Sequence, residues 1–349
     1  MKILAAMSGG VDSSVAAAML VEEGHEVTGV HLRLADVHGE AADGRVHGCC
    51  GVTDADDARR VAQVLDIPFY VWNMKEAFGE HVVRDFVDAY ASGRTPNPCV
   101  RCNEKIKFGA LLDRAVATGF DALATGHYAV ARDGRLFRAA DPDKDQSYVL
   151  ARITGEQIAR ARFPVGLQRK SETRARAAEL SLRVANKPES YDICFVPGGD
   201  AGEFVQEQLG GARPGEIVDP SGRVLGEHDG IHRFTVGQRR GLGLALAERA
   251  YVLDVDAPAN RIVIGPGELL ARRGLEASEV SWIAGAPGDV DAVQVRAHGE
   301  PIPARLEDAT EDRATVRFER PERGIAPGQL VAFYAGAEVL GGATIERAL

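Results

Sequence analysis

A short segment near the N-terminus has the composition of an anion-binding turn. Two glycines let backbone amides close around an anion, hydroxyl groups add donors, and the N-terminus of a following helix adds positive potential. No Gly-Lys-Ser/Thr follows it, so it is not a Walker A loop. We call residues 8–14 the phosphate loop, since the full segment suits a phosphate better than a glycine turn with a serine N-cap: Ser8-Gly9-Gly10-Val11-Asp12-Ser13-Ser14.

A carboxylate lies within the phosphate loop. Asp12 can either help to hold Mg²⁺ together with phosphate oxygens, which is how Mg²⁺ is usually bound, or cap the helix that follows. Both alternatives remain open from the sequence.

A second segment carries two thiols three residues apart. It reads Thr95-Pro96-Asn97-Pro98-Cys99-Val100-Arg101-Cys102-Asn103, and its two prolines predict an extended loop. A single C-x-x-C is a redox pair, half of a zinc site or a coincidence. Because a structural zinc site needs four ligands and the chain has no second C-x-x-C, zinc is the weakest of these alternatives.

The remaining cysteines differ in their surroundings. Cys194 lies between Ile193 and Phe195, and such large apolar neighbours are typical of a buried core thiol. The local sequence alone does not exclude another role for Cys194. The adjacent pair Cys49 and Cys50, flanked by glycines, is predicted to be structural. The chain has 5 cysteines, an odd number, which favours reduced thiols over a disulfide framework.

The composition is that of a globular protein. The chain has 349 residues, with 45% hydrophobic and 26% charged residues, so collagen-like, low-complexity and wholly disordered proteins are excluded. No apolar run reaches the roughly 18 residues that a membrane span needs, and the N-terminal apolar stretch is too short for a signal peptide. We therefore expect a cytoplasmic protein without a membrane partner.

The pattern of apolar residues changes along the chain. Up to about residue 198, short β-type runs alternate with helical patterns, for example strands at 2–7, 26–32 and 67–72 and helices at 11–23, 54–65, 81–91 and 108–118. This alternation predicts an α/β domain with a doubly wound parallel sheet. Beyond it, turn pairs separate short β runs, which predicts two small all-β domains. We place the domains at 1–198, 199–262 and 263–349.

One stretch of the chain is basic although the whole is acidic. The net charge is −10, yet residues 160–187 contain eight Arg or Lys and only two Glu. Arg174 lies at the centre of this stretch. The stretch is either a solvated helix face or a surface for a nucleic-acid backbone.

Several motifs taken together resemble one enzyme family. The phosphate loop is similar to the PP-loop of ATP pyrophosphatases, which split ATP between its α and β phosphates and adenylate a substrate oxygen. The chain as a whole resembles the tRNA-uridine 2-sulfurtransferases, also called tRNA-specific 2-thiouridylases. The resemblance runs almost from end to end and rests on these motifs: SGGVDSS, TPNPCVRCN followed by EKIKF, ATGHYA, DKDQSYVL, SYDICF, FTVGQRRGLG and PGQ.

The resemblance assigns roles to particular residues. It implies that Cys102 is the nucleophilic cysteine and Cys194 the cysteine that carries a persulfide. The positions similar to the family's ATP-binding residues are Ala6, Met7, Ser8, Gly9, Gly10, Val11, Asp12, Ser13, Leu32 and Gly126. The positions similar to its tRNA-binding residues are Asn97, Pro98 and Cys99 at the target base, and His127, Lys144, Asp145, Gln146 and Gln329 elsewhere; Arg174 joins them as a backbone contact. Without the family, His127 is equally a turn histidine bonded to the backbone.

The resemblance also implies the reaction and its partners. It is the ATP- and Mg²⁺-dependent replacement of O2 by sulfur in the wobble uridine, position 34, of tRNA, with sulfur delivered by a carrier protein or a cysteine desulfurase. Two mechanisms fit: a persulfide relay through Cys194 and Cys102, or a [4Fe–4S] cluster held by Cys99, Cys102 and Cys194. The third thiol favours the cluster, because a relay needs only two.

Three other functions are compatible with the phosphate loop. Another PP-loop tRNA thiolase would make 2-thiocytidine or 4-thiouridine, but the all-β tail and the single C-x-x-C argue against it. A PP-loop ligase acting on a small molecule would not need the thiols. A nucleotide-binding sensor would release no pyrophosphate.

Overall fold

The computed structural model describes residues 1–35, 52–188, 193–245, 248–284, 287 and 289–349. The prediction for Cys49 and Cys50 therefore lies outside the described residues. The strands of the first part of the chain are β1 (Lys2–Ala6), β2 (Glu26–Arg33), β3 (Phe69–Asn73), β4 (Ala122–Ala124), β5 (Val130–Arg132), β6 (Arg135–Phe137) and β7 (Ala161–Arg162). The helices are α1 (Val11–Glu22), α2 (Val52–Val64), α3 (Lys75–Phe78), α4 (Arg84–Ala91), α5 (Pro98–Arg101), α6 (Leu112–Ala117), α7 (Gly155–Ala159), α8 (Lys170–Glu179) and α9 (Ala201–Gln208).

The N-terminal domain is built on a parallel sheet. Its strand order is β3-β2-β1-β4-β7, and every pairing in it is parallel. Both faces of β1 are buried, because Leu4 packs into one hydrophobic cluster while Ile3 and Ala5 pack into another. The predicted α/β fold with a doubly wound parallel sheet is confirmed, and the phosphate loop follows β1 as expected.

The two cysteines of the C-x-x-C motif lie in a helix, so the predicted extended loop ends at Asn97. The Asn97 side-chain oxygen accepts hydrogen bonds from the backbone amides of Cys99 at 3.1 Å and Val100 at 3.4 Å. Pro98 occupies the first helical position, where its fixed φ suits a helix and its missing N–H costs nothing. A π-helical segment, Cys102–Leu111, then joins α5 to α6, so this helix begins ten residues before the predicted start at 108.

Two all-β units follow, as predicted. The central sheet contains β8 (Gly215–Val218), β9 (Val224–His228), β10 (Tyr251–Asp256) and β11 (Arg261–Gly265), in the order β10-β11-β8-β9. The last unit contains β12 (Arg272–Trp282), β13 (Ala292–Gln294), β14 (Ile302–Ala309), β15 (Arg313–Glu322), β16 (Leu330–Ala335) and β17 (Glu338–Ala348). Pairing of β12 with β17 closes these six strands into a barrel. The boundary that we placed after residue 262 falls inside β11.

A hairpin from the first domain extends the sheet of the last. Strands β5 and β6 pair with each other, and β6 pairs with β17 through Phe137 and Glu338. The barrel is therefore fixed to the α/β domain by backbone hydrogen bonds as well as by side chains.

Two buried histidines of the central unit predict how stability depends on pH. His228 and His232 are each 5% exposed, and His228 Nδ1 and His232 Nε2 have no hydrogen-bond partner in the described part of the chain. Burial lowers the pKa of both rings. In the unfolded chain these histidines have an ordinary pKa of ~6.5. As the pH falls, they therefore bind protons before the histidines of the folded chain do. We expect the thermal unfolding midpoint to fall as the pH drops below ~6.5.

Calorimetry of two variants checks this prediction. His232→Asn should flatten the pH dependence below neutrality, because it removes one of the two buried titrating rings. His25→Asn is the matched control, since His25 lies near the surface beside Glu23. Equal pH profiles for wild type and His232→Asn would contradict the assignment.

Candidate active site

A cavity of about 300 Å³ opens where β1, β2 and β4 end beside the N-terminus of α1. Gly9 and Gly126 make the close backbone approaches on which its shape depends. Gly9 has φ +79° and a Cβ there would lie 2.3 Å from the Asp54 carbonyl oxygen; a Cβ on Gly126 would lie 2.5 Å from the Ser13 amide nitrogen. Of the predicted ATP-binding residues, those that line the cavity are Ala6, Met7, Ser8, Gly10, Val11, Asp12, Ser13, Leu32 and Gly126.

The phosphate loop leaves the start of α1 available to an anion. Gly10 is the N-cap residue, and no side chain caps the first-turn amides. The loop is held by its own hydroxyl groups: Ser13 Oγ accepts from the Ser8 amide at 3.2 Å, and Ser14 Oγ donates to the Gly10 carbonyl at 2.8 Å. A helix N-terminus in this state binds negative charge.

Asp12 does not cap α1, which removes one of the two alternatives for this residue. Lys170 Nζ contacts both carboxylate oxygens of Asp12 at 2.7 Å, and the Tyr128 hydroxyl donates to the same carboxylate at 3.0 Å. Burial is the main cause that raises the pKa of Tyr128, so this hydroxyl stays protonated and remains a donor. Asp12 is thus fixed on the cavity wall beside a cation.

Lysines supply positive charge around the cavity. Lys187 Nζ contacts Asp54 at 2.7 Å and Asp57 at 2.8 Å, and it donates to the Gly9 carbonyl at 3.0 Å. Burial would lower the pKa of Lys187, but its hydrogen bonds to both aspartates outweigh this and leave the pKa raised. Lysines 107, 144, 170 and 187 all line the cavity. Such a wall suits a polyphosphate.

The basic stretch 160–187 contributes to this wall, which neither of its two interpretations anticipated. Lys170 and Lys187 come from it and turn towards the cavity. Arg176 lies outside, paired with Glu22 and with Glu179 at 2.8 Å. Arg174 donates to the carbonyls of Ala185 at 2.9 Å and Lys187 at 3.3 Å, so it also supports the segment that carries Lys187.

His127 is buried on the cavity wall. Its Nδ1 lies 2.6 Å from Thr125 Oγ1, so its partner is a side chain rather than the backbone. Burial, with a smaller effect of Lys107, holds the pKa of His127 well below its usual range. The ring is therefore neutral near pH 7 and can offer a hydrogen bond but no charge.

Each of the three candidate thiols has a different environment. Cys102 is buried, Cys194 is half-buried and Cys99 is exposed. Desolvation raises the pKa of the Cys99 thiol, Cys194 raises it further, and Lys107 opposes both.

The residue after Cys194 anchors it in the fold. Phe195 packs edge-on against Phe78, Phe86 and Phe204, with ring centroids 5.5, 5.3 and 5.5 Å away. The apolar neighbour that suggested a core position for Cys194 therefore fixes the segment in the core, while the thiol itself stays half-buried.

Among the described residues, no three His, Cys, Asp or Glu side chains are grouped closely enough to hold a metal ion. The set of Cys99, Cys102 and Cys194 as three ligands of a [4Fe–4S] cluster stays a prediction. Mg²⁺ needs fewer protein ligands, because it is usually held by one or two carboxylates together with substrate phosphates. Asp12 on the cavity wall fits that requirement.

Four of the residues expected to contact tRNA differ in their access to the cavity. Lys144, Gln146 and His127 line the cavity. Asp145 is enclosed instead: its carboxylate accepts from the Ala139 amide, the Ser147 hydroxyl and Arg138 Nε, each at 2.9 Å.

The loop expected at the target base is supported from the barrel. Gln329 Nε2 donates to the Thr95 carbonyl at 2.9 Å, and the Thr95 amide donates to the Pro327 carbonyl at 2.8 Å. Asn97 and Pro98 follow directly, so the PGQ segment of the barrel helps to set their position.

Sequence reasoning missed Lys107, which lies between the two parts of the site. Lys107 lines the cavity, and its charge acts on both Cys99 and His127. The only signal was its place in the EKIKF segment after the C-x-x-C motif. Within the described ranges, no helix is long and apolar enough to cross a membrane.

Comparison with known proteins covers nearly the whole chain. Family models match residues 1–198 (tRNA methyl transferase HUP domain), 202–266 (tRNA methyl transferase PRC-barrel domain) and 272–345 (aminomethyltransferase beta-barrel domain). A tRNA-specific 2-thiouridylase MnmA of Mycobacteroides abscessus is 54% identical over 358 residues, with 99% of this chain and 100% of the relative covered. The protein of that name from Acidothermus cellulolyticus is 52% identical, with 99% and 98% covered.

Solved structures are less similar. A 4-thiouridine synthetase in complex with RNA and bound ATP is 16% identical, with a TM-score of 0.38 and coverage of 60% of this chain and 50% of that chain. An NMN synthetase from Francisella tularensis is 15% identical, with a TM-score of 0.35 and coverage of 60% and 77%.

Proposed function

The chain belongs to the family of tRNA-specific 2-thiouridylases, and we propose that it uses ATP to replace the C2 oxygen of the wobble uridine, position 34 of tRNA, by sulfur. The arrangement around Lys107 carries the proposal. This one side chain lines the cavity that suits a polyphosphate, and it lies in the helical segment Cys102–Leu111, which begins at a candidate thiol. A nucleotide site and a thiol site are thus adjacent, as adenylation followed by sulfur transfer requires.

The phosphate loop and the lysine wall would serve adenylation. The α1 N-terminus would meet the phosphates, with Lys170 and Lys187 on the wall beside them, although aspartates already balance the charge of both lysines. Asp12 would hold Mg²⁺ with phosphate oxygens. When bound, Mg²⁺ neutralises charge on the phosphates. Uridine O2 attacks the α-phosphorus of ATP, and pyrophosphate leaves. The C2 oxygen, which is a poor leaving group by itself, can then leave as part of AMP.

Cys102 and Cys194, the two thiols to which the family resemblance gives roles, would serve sulfur transfer. A carrier protein or cysteine desulfurase loads Cys194 with a terminal sulfur as a persulfide. The terminal sulfur attacks C2, AMP leaves, and a uridine–S–S–Cys194 linkage forms. The Cys102 thiolate then attacks Cys194 Sγ, which releases 2-thiouridine and forms a Cys102–Cys194 disulfide. A thiol reductant returns both cysteines to the starting state.

The family-model descriptions speak of methyl transfer, but the site favours thiolation. A loop that suits phosphates, together with one exposed and one half-buried thiol, matches the needs of adenylation and sulfur chemistry. The direct test is the nucleotide product. tRNA-dependent formation of AMP and pyrophosphate is expected, whereas ADP and phosphate, or no turnover of ATP, would contradict the proposal.

Arg174 is predicted to contact the phosphate backbone of tRNA, and Arg176 on the same helix provides a matched control. We propose that the half-exposed Arg174 meets a tRNA phosphate. Each such contact releases counterions, so Arg174→Ala should lower the slope of log K against log salt by about 1. Arg176→Ala should leave the slope unchanged, because Glu22 and Glu179 already neutralise Arg176.

Fluorescence titration of tRNA at several salt concentrations gives both slopes. If Arg174→Ala keeps the wild-type slope and weakens only ATP binding, Arg174 supports the Lys187 segment and does not contact tRNA.

A further inference from the structure

Glu279 has an unusual backbone for a residue in a barrel strand. It lies in β12 with φ +51°, in the left-handed region that side chains rarely adopt. The pairing of β12 with β17 shifts register between Ser278 and Ser281, so Glu279 lies in a β-bulge. Bulges redirect side chains, and strained residues persist where the surrounding structure holds them.

The redirected carboxylate reaches the α/β domain. Glu279 Oε2 accepts from Arg101 Nη2 at 2.8 Å, Arg152 Nη1 at 3.1 Å and Thr344 Oγ1 at 2.8 Å. Burial would raise the pKa of the Glu279 carboxyl, but Arg101, Thr344 and Arg152 outweigh it and leave the pKa lowered. The carboxylate is therefore charged near pH 7.

Arg101 connects this contact to the thiols. It lies between Cys99 and Cys102 in the last position of α5, and its side chain also reaches Asp85 and Glu104, each at 3.3 Å. Arg152, which is only 9% exposed, closes the network through Glu104 at 3.0 Å. Of the charged groups in this network, Glu279 is the one supplied by the barrel.

The surroundings of the network leave room for movement. It borders a cavity of about 350 Å³ between α4, α5 and the barrel, which Asn97 also lines. Across this space, Arg101 joins α5 to the barrel through Glu279. Partly exposed ion pairs of this kind add little to stability.

We propose that Glu279 is a positioning residue for sulfur transfer: through Arg101 it holds the helical turn that carries Cys99 and Cys102 against the barrel. The inference rests on the proposed function, since it gives these thiols their role. It adds a contribution of the barrel to the thiol site, which neither the motifs nor the family descriptions assign.

The test compares Glu279→Ala with a matched control three residues earlier on β12. Glu276 pairs with Arg347 within the barrel, at 2.7 and 2.6 Å, so Glu276→Ala removes a similar exposed ion pair away from α5. We expect Glu279→Ala to lower the thiolation rate about tenfold at saturating ATP and tRNA, with unchanged affinity for ATP. Glu279→Gln, which keeps an acceptor oxygen, should recover part of the rate. Glu276→Ala should behave as wild type.

A second measurement separates position from stability. Alkylation of Cys99 by iodoacetamide, followed by peptide mass spectrometry across pH, reports the surroundings of that thiol in the folded protein. Its pH midpoint should shift in Glu279→Ala but not in Glu276→Ala. A wild-type thiolation rate and alkylation profile in Glu279→Ala would overturn the inference, as would a loss of rate that merely follows a lowered unfolding temperature. If wild-type protein itself does not thiolate tRNA, the proposed function fails instead.

Discussion

Serine in place of Cys102 or Cys194 should stop sulfur incorporation into tRNA. A serine oxygen can neither carry the transferable sulfur nor resolve a persulfide, so we expect a loss of roughly 10³-fold or more. Both positions lie outside the lining of the nucleotide cavity, so ATP binding should persist in both variants. Thiolation measured with a persulfide donor, alongside ATP titration, checks the two expectations together. Wild-type thiolation by either variant would contradict the relay.

Cys99 separates the two mechanisms that the resemblance left open. In a relay, Cys99→Ser should keep most of the activity, because the Cys99 thiol transfers no sulfur. In a cluster enzyme, Cys99→Ser should lose iron and activity together, since thiolate is the preferred ligand of iron–sulfur clusters. The third candidate thiol favours the cluster, whereas sulfur transfer by a relay needs only Cys102 and Cys194. Iron analysis of anaerobically purified protein, with thiolation rates, decides between them.

Alanine at Asp12 should abolish formation of AMP and pyrophosphate. The variant loses the carboxylate proposed to hold Mg²⁺ and leaves Lys170 without its partner at 2.7 Å. Loss of a group of this kind costs about 10²–10³ in rate. Ser13→Ala should also be strongly impaired, because its hydroxyl holds the Ser8 amide and lines the cavity.

Ser14→Ala is the matched control for the phosphate loop. Ser14 is fully buried and its hydroxyl donates to the Gly10 carbonyl, so it does not line the cavity. We expect a modest loss of stability, about 1 kcal/mol, and a smaller loss of AMP formation than in Ser13→Ala, because the Ser14 hydroxyl does not face the cavity. AMP formation at wild-type rates in Asp12→Ala would show that the phosphate loop is not the ATP site.

Local patterns predicted the α/β domain well. The run of residues 2–7, the phosphate loop and the helix after it obey short-range rules of periodicity and turn chemistry, and the structure contains them as expected. The C-x-x-C segment was misassigned because proline suits both an extended loop and the first turn of a helix. The cap on Cys99 and Val100 by Asn97 decided between them.

Contacts between elements that are far apart in the chain could not be predicted from the sequence. Nothing local indicates that Phe137 of β6 pairs with Glu338 of β17, nor that Lys187 meets Asp54 across the cavity. The net charge of 160–187 predicted a surface, but charge counts cannot show which cations have acidic partners on neighbouring elements. Glu279 carried no signal either, because a bulge and a positive φ depend on how the barrel closes.

The identity of the modified nucleoside tests the account most directly. Wild-type protein is incubated with ATP, Mg²⁺, a persulfide donor and an unmodified tRNA transcript with uridine at position 34, and the digested nucleosides are analysed by mass spectrometry while AMP is quantified. The account predicts 2-thiouridine at that position and one AMP for each sulfur incorporated. 4-Thiouridine, 2-thiocytidine or a methylated nucleoside as the product, or thiolation without AMP, would contradict it.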